Sequence, residues 1–492
     1  MNPTGKRYIL HMLHNIYIKN GTSTWRKFAY ILVVAIILQV LVPRPGTITV
    51  RAENATGNSS NTSNVNSDND VNLNTDVKSN TDVNLNIKAE ACILIDSRTG
   101  KVLYGQDADK PGINPASTTK IMTAILALEN GNPDQIMTAS QAAVNDIGDG
   151  GMNIGIMAGE EISLYYLLHA MLISSANEAA NIIAENIAPT REEFISMMNE
   201  RARELGTLNT NFVNTNGMHH PDHTTTARDM AIMARYAMTF PLFREIVRKE
   251  SYTMPATNKH KEWVTLYTTN RFLRRTQDPT AKYTVIGIKT GFTTPAGHNL
   301  VAAATDNDGM ELISVVLGVK GENASERIYT YTKQLFDYGF SNYSQQLVVD
   351  ENYLIRSVKV KDAKDNVYLD LVTEEQVKAV LPINNKNLLI QRKLHLKPVI
   401  EAPVNAGDII GYIEFWENDV LLGKTNVIAA SSIERRSKNI YEIITQSRFG
   451  RLVLTIFAIV ALFLILRFTL RKISRNIKIK RRKLQVYKKG QH

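Results

Sequence analysis

The sequence predicts an α+β fold, in which a mostly antiparallel sheet packs against a helical subdomain. Short apolar strand patterns occur near residue 90 and again between residues 284 and 319, and the residues between them have helical periodicity. Strands that come first and last, with helices between them, favour one sheet covered by helices. Short, partly alternating apolar runs farther along the chain predict a small β-sandwich domain, and a C-terminal apolar segment predicts a transmembrane helix.

The individual elements follow from these patterns. Ala91–Asp96 and Lys101–Tyr104 flank a Ser-Arg-Thr-Gly turn and predict a hairpin. An apolar helix is predicted after Ser117, ending at Gly131. The further helices predicted are Leu164–Leu172, Glu178–Ile187, Arg191–Leu205 and Thr226–Met238. The later strands predicted are Thr284–Thr290, Asn299–Ala304 and Leu312–Val319, and in the β-domain Leu347–Val349, Ile355–Val360, Val367–Leu371, Leu388–Arg392 and Ile409–Phe415.

Both ends of the chain have the pattern of membrane-targeting segments. Basic residues precede the apolar run Phe28–Val42, and small residues flank Arg51, as at a signal cleavage site; an uncleaved anchor is the alternative. Leu452–Leu466 lies between two arginines, which predicts a spanning helix rather than one lying in the interface. The predicted organisation is 1–52 signal peptide or anchor, 53–88 disordered spacer, 89–345 catalytic domain, 346–432 β-domain, 433–451 linker, 452–470 transmembrane helix and 471–492 basic cytoplasmic tail.

Charge and cysteine content exclude several classes of protein. The net charge is +10, but residues 471–492 carry ten Lys/Arg and residues 1–52 carry seven, with no acidic residue in either segment. The 40 basic and 47 acidic residues between 53 and 470 leave that region at −7, so membrane topology explains the basic excess and no nucleic-acid partner is predicted. The single cysteine, Cys92, excludes an intramolecular disulfide and lies in an apolar run, where a buried thiol is expected.

Three short motifs carry the predicted chemistry. In Ser117-Thr-Thr-Lys120 the two polar side chains share one helix face, so a neutral lysine amine can take the proton of the serine hydroxyl. Ser175-Ala-Asn177 supplies a hydroxyl and a carboxamide that can relay a proton and hold a substrate amide. Lys289-Thr290-Gly291 ends an apolar strand; its lysine can keep Lys120 neutral, and its glycine leaves room for a substrate backbone.

The order of these motifs is typical of penicillin-binding proteins and class A β-lactamases. Pro-Ala-Ser-Thr-Thr-Lys-Ile-Met-Thr-Ala, Lys-Thr-Gly-Phe-Thr and Phe-Asp-Tyr-Gly-Phe further resemble the serine-type D-alanyl-D-alanine carboxypeptidases, which are low-molecular-mass penicillin-binding proteins. The segment Ala402-Pro403-Val404 with Gly407-Asp408 resembles the second domain of that family. The resemblance covers roughly residues 89–430.

The resemblance implies a penicillin-binding/β-lactamase-like fold, and no cofactor is predicted. The apolar runs and the basic residues beside them predict a bacterial cell-membrane location with a single C-terminal span and an extracytoplasmic catalytic domain. The spanning helix departs from the family, whose members are commonly held on the membrane by a terminal amphipathic helix. Ser117 would attack the peptide bond between the terminal D-alanines of a peptidoglycan stem peptide and form an acyl-enzyme, with Lys120 as the base. Ser175 and Asn177 would assist, Lys289 and Thr290 would bind the terminal carboxylate, and the N–H groups of Ser117 and Phe292 would bind the oxyanion. β-Lactam antibiotics would acylate Ser117.

Three alternatives to a carboxypeptidase stay open at this point. A β-lactamase or a D,D-endopeptidase could use the same scaffold, and a catalytically silent cell-wall scaffold protein could keep the fold.

The histidine-rich segment His219–His223 suggests a metal site, but its proline and the lack of a helical i, i+4 spacing favour a loop beside the active site.

Overall fold

The computed structural model describes residues 83–274, 282–365, 367–384 and 388–489. The predicted signal segment 1–52 and most of the predicted spacer lie outside the described residues. The α+β fold class predicted above is confirmed, because a central antiparallel sheet packs against helices and is followed by a separate β-domain.

The central sheet has five antiparallel strands in the order β2-β1-β9-β8-β7. Its strands are β1 (Ala91–Asp96), β2 (Val102–Gln106), β7 (Tyr283–Thr293), β8 (Gly297–Asp306) and β9 (Glu311–Val319). The first strand pairs with the last, since Ile93 lies opposite Val315, and this pairing closes the domain around the helices between them. Every predicted strand of this sheet is confirmed.

Both faces of the sheet are covered, which explains why β1 is a continuous apolar run. Alternate residues of a strand point to opposite faces. Ile93 and Ile95 therefore pack into the core shared with the helical subdomain, whereas Cys92 and Leu94 pack on the other face, under the helix Ala324–Asn342. The expectation of a buried thiol is confirmed, and burial raises the pKa of Cys92 to about 12.

The helical subdomain is built around one apolar core. Its elements are α1 (Lys120–Asn130), β3 (Ile136–Thr138), α2 (Gln141–Asn145), β4 (Glu161–Ser163), α3 (Leu164–Ile173), α4 (Asn177–Ile187), α5 (Arg191–Glu204), α6 (Ala227–Ala237), α7 (Pro241–Val247), β5 (Ser251–Thr253), β6 (Thr265–Tyr267) and α8 (Arg271–Arg274). Helix α1 ends at Gly131, as predicted, and is buried from Lys120 to Ala127. Helix α9 (Ala324–Asn342), which the sequence did not predict, covers the opposite face of the sheet.

The β-domain is a sandwich of a five-stranded sheet, β11-β12-β16-β15-β14, and the pair β10-β13. Its strands are β10 (Tyr343–Val349), β11 (Leu354–Lys359), β12 (Tyr368–Thr373), β13 (Val377–Pro382), β14 (Gln391–Leu396), β15 (Ile409–Glu417) and β16 (Val420–Ala429). The strand predicted at Leu388–Arg392 was placed too early, and β13 and β16 were not predicted. The sequence predicted the boundary between the catalytic domain and the β-domain between residues 345 and 346. Strand β10 runs across this position, and the boundary stays a prediction.

The β1–β2 hairpin joins the catalytic domain to the β-domain. Lys101 forms an ion pair with Glu417 whose side chains are only 12% and 14% exposed. Lys101 Nζ also donates to the carbonyl oxygen of Val380 at 3.3 Å, and Arg98 donates to the carbonyl oxygen of Lys378. The hairpin therefore fixes the two domains to each other.

Two C-terminal helices follow the β-domain, α10 (Ile440–Gln446) and α11 (Arg448–Lys489). Helix α11 contains the predicted transmembrane segment 452–470 and continues without a break into the basic tail. Among the described residues it is the one helix long and apolar enough to cross a membrane.

Candidate active site

The nucleophile motif begins in a 3₁₀ turn, Ala116–Thr119, that leads directly into helix α1. Ser117 is partly exposed, whereas Lys120, at the start of the helix, is completely buried. Lys120 Nζ lies 3.0 Å from Ser117 Oγ. The structure thus brings together the two side chains of the Ser-x-x-Lys motif.

The Ser-x-Asn motif forms the link between helices α3 and α4. Ser175 is buried and has a φ of +63°, and Asn177 is the first residue of α4. Asn177 Oδ1 accepts a hydrogen bond from Lys120 Nζ at 2.7 Å, and its Nδ2 donates to the carbonyl oxygen of Ile147 at 2.8 Å. A third acceptor, the carbonyl oxygen of Asn216, lies 2.6 Å from the same amine.

The environment of Lys120 favours the neutral amine. Burial, followed by the positive charge of Lys289, holds the pKa of Lys120 well below its ordinary value, and the carboxylate of Glu178 opposes this shift. Burial raises the pKa of Glu178 itself, which weakens that opposition by favouring its neutral form. Desolvation therefore decides the protonation of this lysine.

Strand β7 carries the Lys-Thr-Gly motif along the edge of the nucleophile turn. Lys289 is buried, with Nζ donating to the carbonyl oxygen of Thr290 at 3.0 Å. A Cβ on Gly291 would lie 2.9 Å from the Pro115 carbonyl oxygen and 3.1 Å from Ser117 N, so only glycine allows the strand to come this close. Phe292 is 55% exposed, and its ring centroid lies 4.4 Å from that of His298.

Sequence analysis missed three residues that contact these motifs. Asn216 contributes through its backbone carbonyl, which has no side-chain signature. Glu178 follows the Ser-x-Asn motif directly and acts on Lys120 through its charge, and its Oε1 accepts from the N–H groups of Ile154 and Gly155. Thr269 Oγ1 lies 2.5 Å from Thr290 Oγ1, in a loop with no motif of its own. The described residues contain no cluster of three or more metal-ligating side chains.

Removing the buried charge of Lys289 should change how stability depends on pH. Burial lowers the pKa of Lys289 to about 7, whereas a lysine in the unfolded chain titrates near 10.4. Between these values the unfolded chain binds more protons, so the free energy of unfolding of the wild type should rise with pH. We expect Lys289→Met to reduce this slope, measured as melting temperature at pH 7, 8.5 and 10.

Exposed Lys282 provides the matched control for this measurement. Lys282→Met should retain the wild-type slope, because that side chain stays in solvent when the protein folds. A slope that Lys289→Met leaves unchanged would show that Lys289 does not resist protonation in the folded state.

The sheet, the helical subdomain and the serine–lysine pair at their junction have the architecture of penicillin-binding and β-lactamase-like serine enzymes. A family model described as D-alanyl-D-alanine carboxypeptidase, peptidase family S11, matches residues 76–321, and one described as the penicillin-binding protein 5 C-terminal domain matches residues 343–435. The chain belongs to the S11 D-alanyl-D-alanine carboxypeptidase family.

Curated relatives and solved structures agree with this assignment. D-alanyl-D-alanine carboxypeptidase DacF of Bacillus subtilis is 32% identical over 355 residues, covering 71% of this chain and 86% of the relative. DacC of Escherichia coli is 30% identical, covering 71% and 85%. The structure of PBP3 from Streptococcus pneumoniae, described as a peptidoglycan synthesis regulatory factor, is 27% identical with a TM-score of 0.60, covering 71% of this chain and 100% of that one. The protein is therefore a serine-type D-Ala-D-Ala carboxypeptidase, and its family implies a peptidoglycan substrate and β-lactam binding.

Proposed function

We propose that Ser117 is the nucleophile and Lys120 the general base of this carboxypeptidase. The observation that carries the proposal is the set of three contacts on Lys120 Nζ. A neutral amine has two hydrogens and one lone pair. Asn177 Oδ1 and the Asn216 carbonyl can only accept, so they take the two hydrogens, and the lone pair is left to face the Ser117 hydroxyl.

We assign the remaining motif residues the roles that the family resemblance implies. Lys120 takes the Ser117 proton as Oγ attacks the carbonyl, and the proton then passes to the nitrogen of the departing D-alanine, with Ser175 and Asn177 assisting. Lys289 and Thr290 bind the terminal carboxylate of the stem peptide, and Gly291 leaves room for its backbone. The N–H groups of Ser117 and Phe292 stabilise the oxyanion, and water then hydrolyses the acyl-enzyme.

The purified full-length protein provides the test of this function. We expect it to release D-alanine from a peptide ending in D-Ala-D-Ala, and to be acylated by a fluorescent penicillin that leaves slowly. Fast hydrolysis of nitrocefin without D-alanine release would favour a β-lactamase. Cleavage of cross-linked muropeptides in preference to the linear peptide would favour an endopeptidase.

We further propose that residues 452–470 form a single membrane span, with the catalytic domain outside the cell and the basic residues 471–492 inside. The support is the apolar composition of helix α11 and the positive charge that follows it. Lys and Arg remain on the cytoplasmic side of a span, which gives this orientation.

A stop codon after Gln446 should release the protein from membranes, because it removes the proposed span. A chain ending after Leu470 keeps the span and serves as the matched control, which we expect to stay in the membrane pellet. The measurement is immunoblotting of membrane and soluble fractions. If the shorter chain also stays in the pellet, the N-terminal run Phe28–Val42 is an uncleaved anchor and the C-terminal helix is not the only attachment.

A further inference from the structure

The histidine-rich loop between helices α5 and α6 lies against the nucleophile turn. His219 and His220 are exposed, but His223 is buried at 1% exposure. Its Nε2 lies 2.7 Å from Thr119 Oγ1, in the turn that carries Ser117. The roles proposed above for the active-site residues do not use this histidine.

The hydrogen bonds around His223 run in one direction. The N–H of Val213 donates to Nδ1 at 3.1 Å, so Nδ1 carries no hydrogen and the remaining ring hydrogen is on Nε2. Nε2–H therefore donates to Thr119 Oγ1, and the Thr119 hydroxyl in turn donates to the carbonyl oxygen of Ala116 at 2.8 Å. Each donor has one hydrogen, so the whole series is fixed from the histidine to the carbonyl.

The histidine is held neutral, as this series requires. Burial, and to a smaller extent the neighbouring side chains of His220, His219 and Lys120, lower the pKa of His223 to about 3. A protonated ring would direct a second N–H at the N–H of Val213. The neutral tautomer is therefore the stable form at neutral pH.

The end of the series is a peptide group next to the nucleophile. The carbonyl of Ala116 and the N–H of Ser117 belong to the same planar trans peptide, so fixing the carbonyl direction also fixes the N–H direction. Ala116 has a φ of +48°, a left-handed conformation that a residue with a side chain rarely adopts. The bond from Thr119 to the Ala116 carbonyl helps to hold this peptide in one orientation.

The same loop contacts this peptide in a second way. Gly217 has a φ of +88°, and a Cβ there would lie 1.9 Å from the Ala116 carbonyl oxygen. Asn114 Nδ2 also donates to the carbonyl oxygen of His223 at 2.9 Å. The Gly217 backbone therefore packs directly against the Ala116 carbonyl, and the Asn114 side chain holds the same loop at His223.

We propose that His223 is a positioning residue that acts through Thr119 to orient the Ser117 N–H as an oxyanion donor. The inference rests on the proposed function, because it assumes that Ser117 N–H binds the oxyanion. The chemistry it serves is hydrogen bonding to the carbonyl oxygen of the substrate peptide or of a β-lactam, which gains charge as the serine adds.

Thr119→Val in the full-length protein tests this proposal, because valine keeps the shape and removes the hydroxyl. We expect kcat for D-alanine release to fall by about 10- to 100-fold while KM changes little, since the lost interaction is made in the transition state. The ester carbonyl of the penicilloyl-enzyme should absorb at higher infrared frequency, because its hydrogen bond is weaker. Thr119→Ser should restore both values.

Thr118→Val is the matched control. The Thr118 hydroxyl is also buried and donates to a carbonyl, that of Pro115, at 2.7 Å, but that carbonyl belongs to a different peptide group. We expect a similar loss of thermal stability and a kcat and carbonyl frequency close to wild type. Equal effects of the two valine variants on kcat and on the infrared band would overturn the proposal, as would an unchanged band in Thr119→Val.

The double variant His223→Leu/Thr119→Val tests whether the histidine acts through the threonine. We expect its kcat to match that of Thr119→Val alone, because the two side chains form one series. If the fold-loss in kcat of the double variant equals the product of the fold-losses of the two single variants, His223 acts independently of Thr119. That result would overturn the proposed route. Complete end-point labelling of Thr119→Val by penicillin would show that Ser117 is still the nucleophile, which separates failure of this proposal from failure of the proposed function.

Discussion

Ser117→Ala is expected to abolish both D-alanine release and labelling by fluorescent penicillin. The Ser117 hydroxyl lies at hydrogen-bond distance from the buried Lys120 amine, and alanine leaves that amine with no group to deprotonate. Loss of the nucleophile in a serine enzyme costs on the order of 10⁶ in kcat. Ser117 is partly exposed, so the variant should fold normally, and its circular dichroism spectrum and melting temperature provide that check.

Ser175→Ala is the control variant for this experiment. Ser175 lies in the adjacent motif, and we propose that it assists proton transfer without forming a bond to substrate. We expect this variant to be labelled more slowly but to completion. Labelling that persists in Ser117→Ala would place the nucleophile at another residue and remove the basis of the mechanism.

Lys120→Met is expected to lower the rate of penicillin acylation by about 10²- to 10⁴-fold, the usual contribution of a general base. Methionine has a similar length and keeps the site filled, but it has no lone pair able to take the serine proton. The wild-type rate should rise with pH through the lowered pKa of Lys120, because only the neutral amine acts as a base. Stopped-flow acylation between pH 5 and 9 measures both effects.

The position of this pH profile depends on Lys289. Its positive charge contributes to lowering the pKa of Lys120, after burial, so Lys289→Met should raise that pKa. The acid limb of the profile should then move to higher pH. A limb that stays in place or moves to lower pH would show that Lys289 does not act on the base in this way.

Sequence patterns predicted the reactive side chains of the site better than the residues that form hydrogen bonds with them. The contact of Ser117 with Lys120 follows from helix geometry, because residues three apart share a face. The contact of Lys120 with Asn177 joins residues 57 positions apart, and only the motif order indicated it. The Asn216 carbonyl and the Thr269 hydroxyl belong to loops, whose paths are set by tertiary packing and leave no periodic pattern in the sequence.

The missed elements have the same physical origin. Helix α9 is rich in tyrosine, threonine and phenylalanine, which are weak helix formers, and it is stabilised by packing Ile328, Leu335 and Phe336 against the sheet. Strand β16 has a glycine and three polar residues between its two apolar runs. Neither the two-residue period of a strand nor the 3.6-residue period of a helix is therefore clear. The central strands were predicted because both faces are buried and their apolar runs are continuous.

The contacts of the β1–β2 hairpin with the β-domain have a mechanical consequence. Bending between the two domains would require separation of the nearly buried Lys101–Glu417 pair, which would leave each charge without its partner in a poorly solvated place. Ile433 and Arg435 form bridges with the β-domain, so under the membrane attachment proposed above only residues 437–439 separate the two joined domains from helix α10. With that proposed attachment, a longer segment should place Ser117 farther from the membrane and so change which layer of the surrounding polymer it reaches.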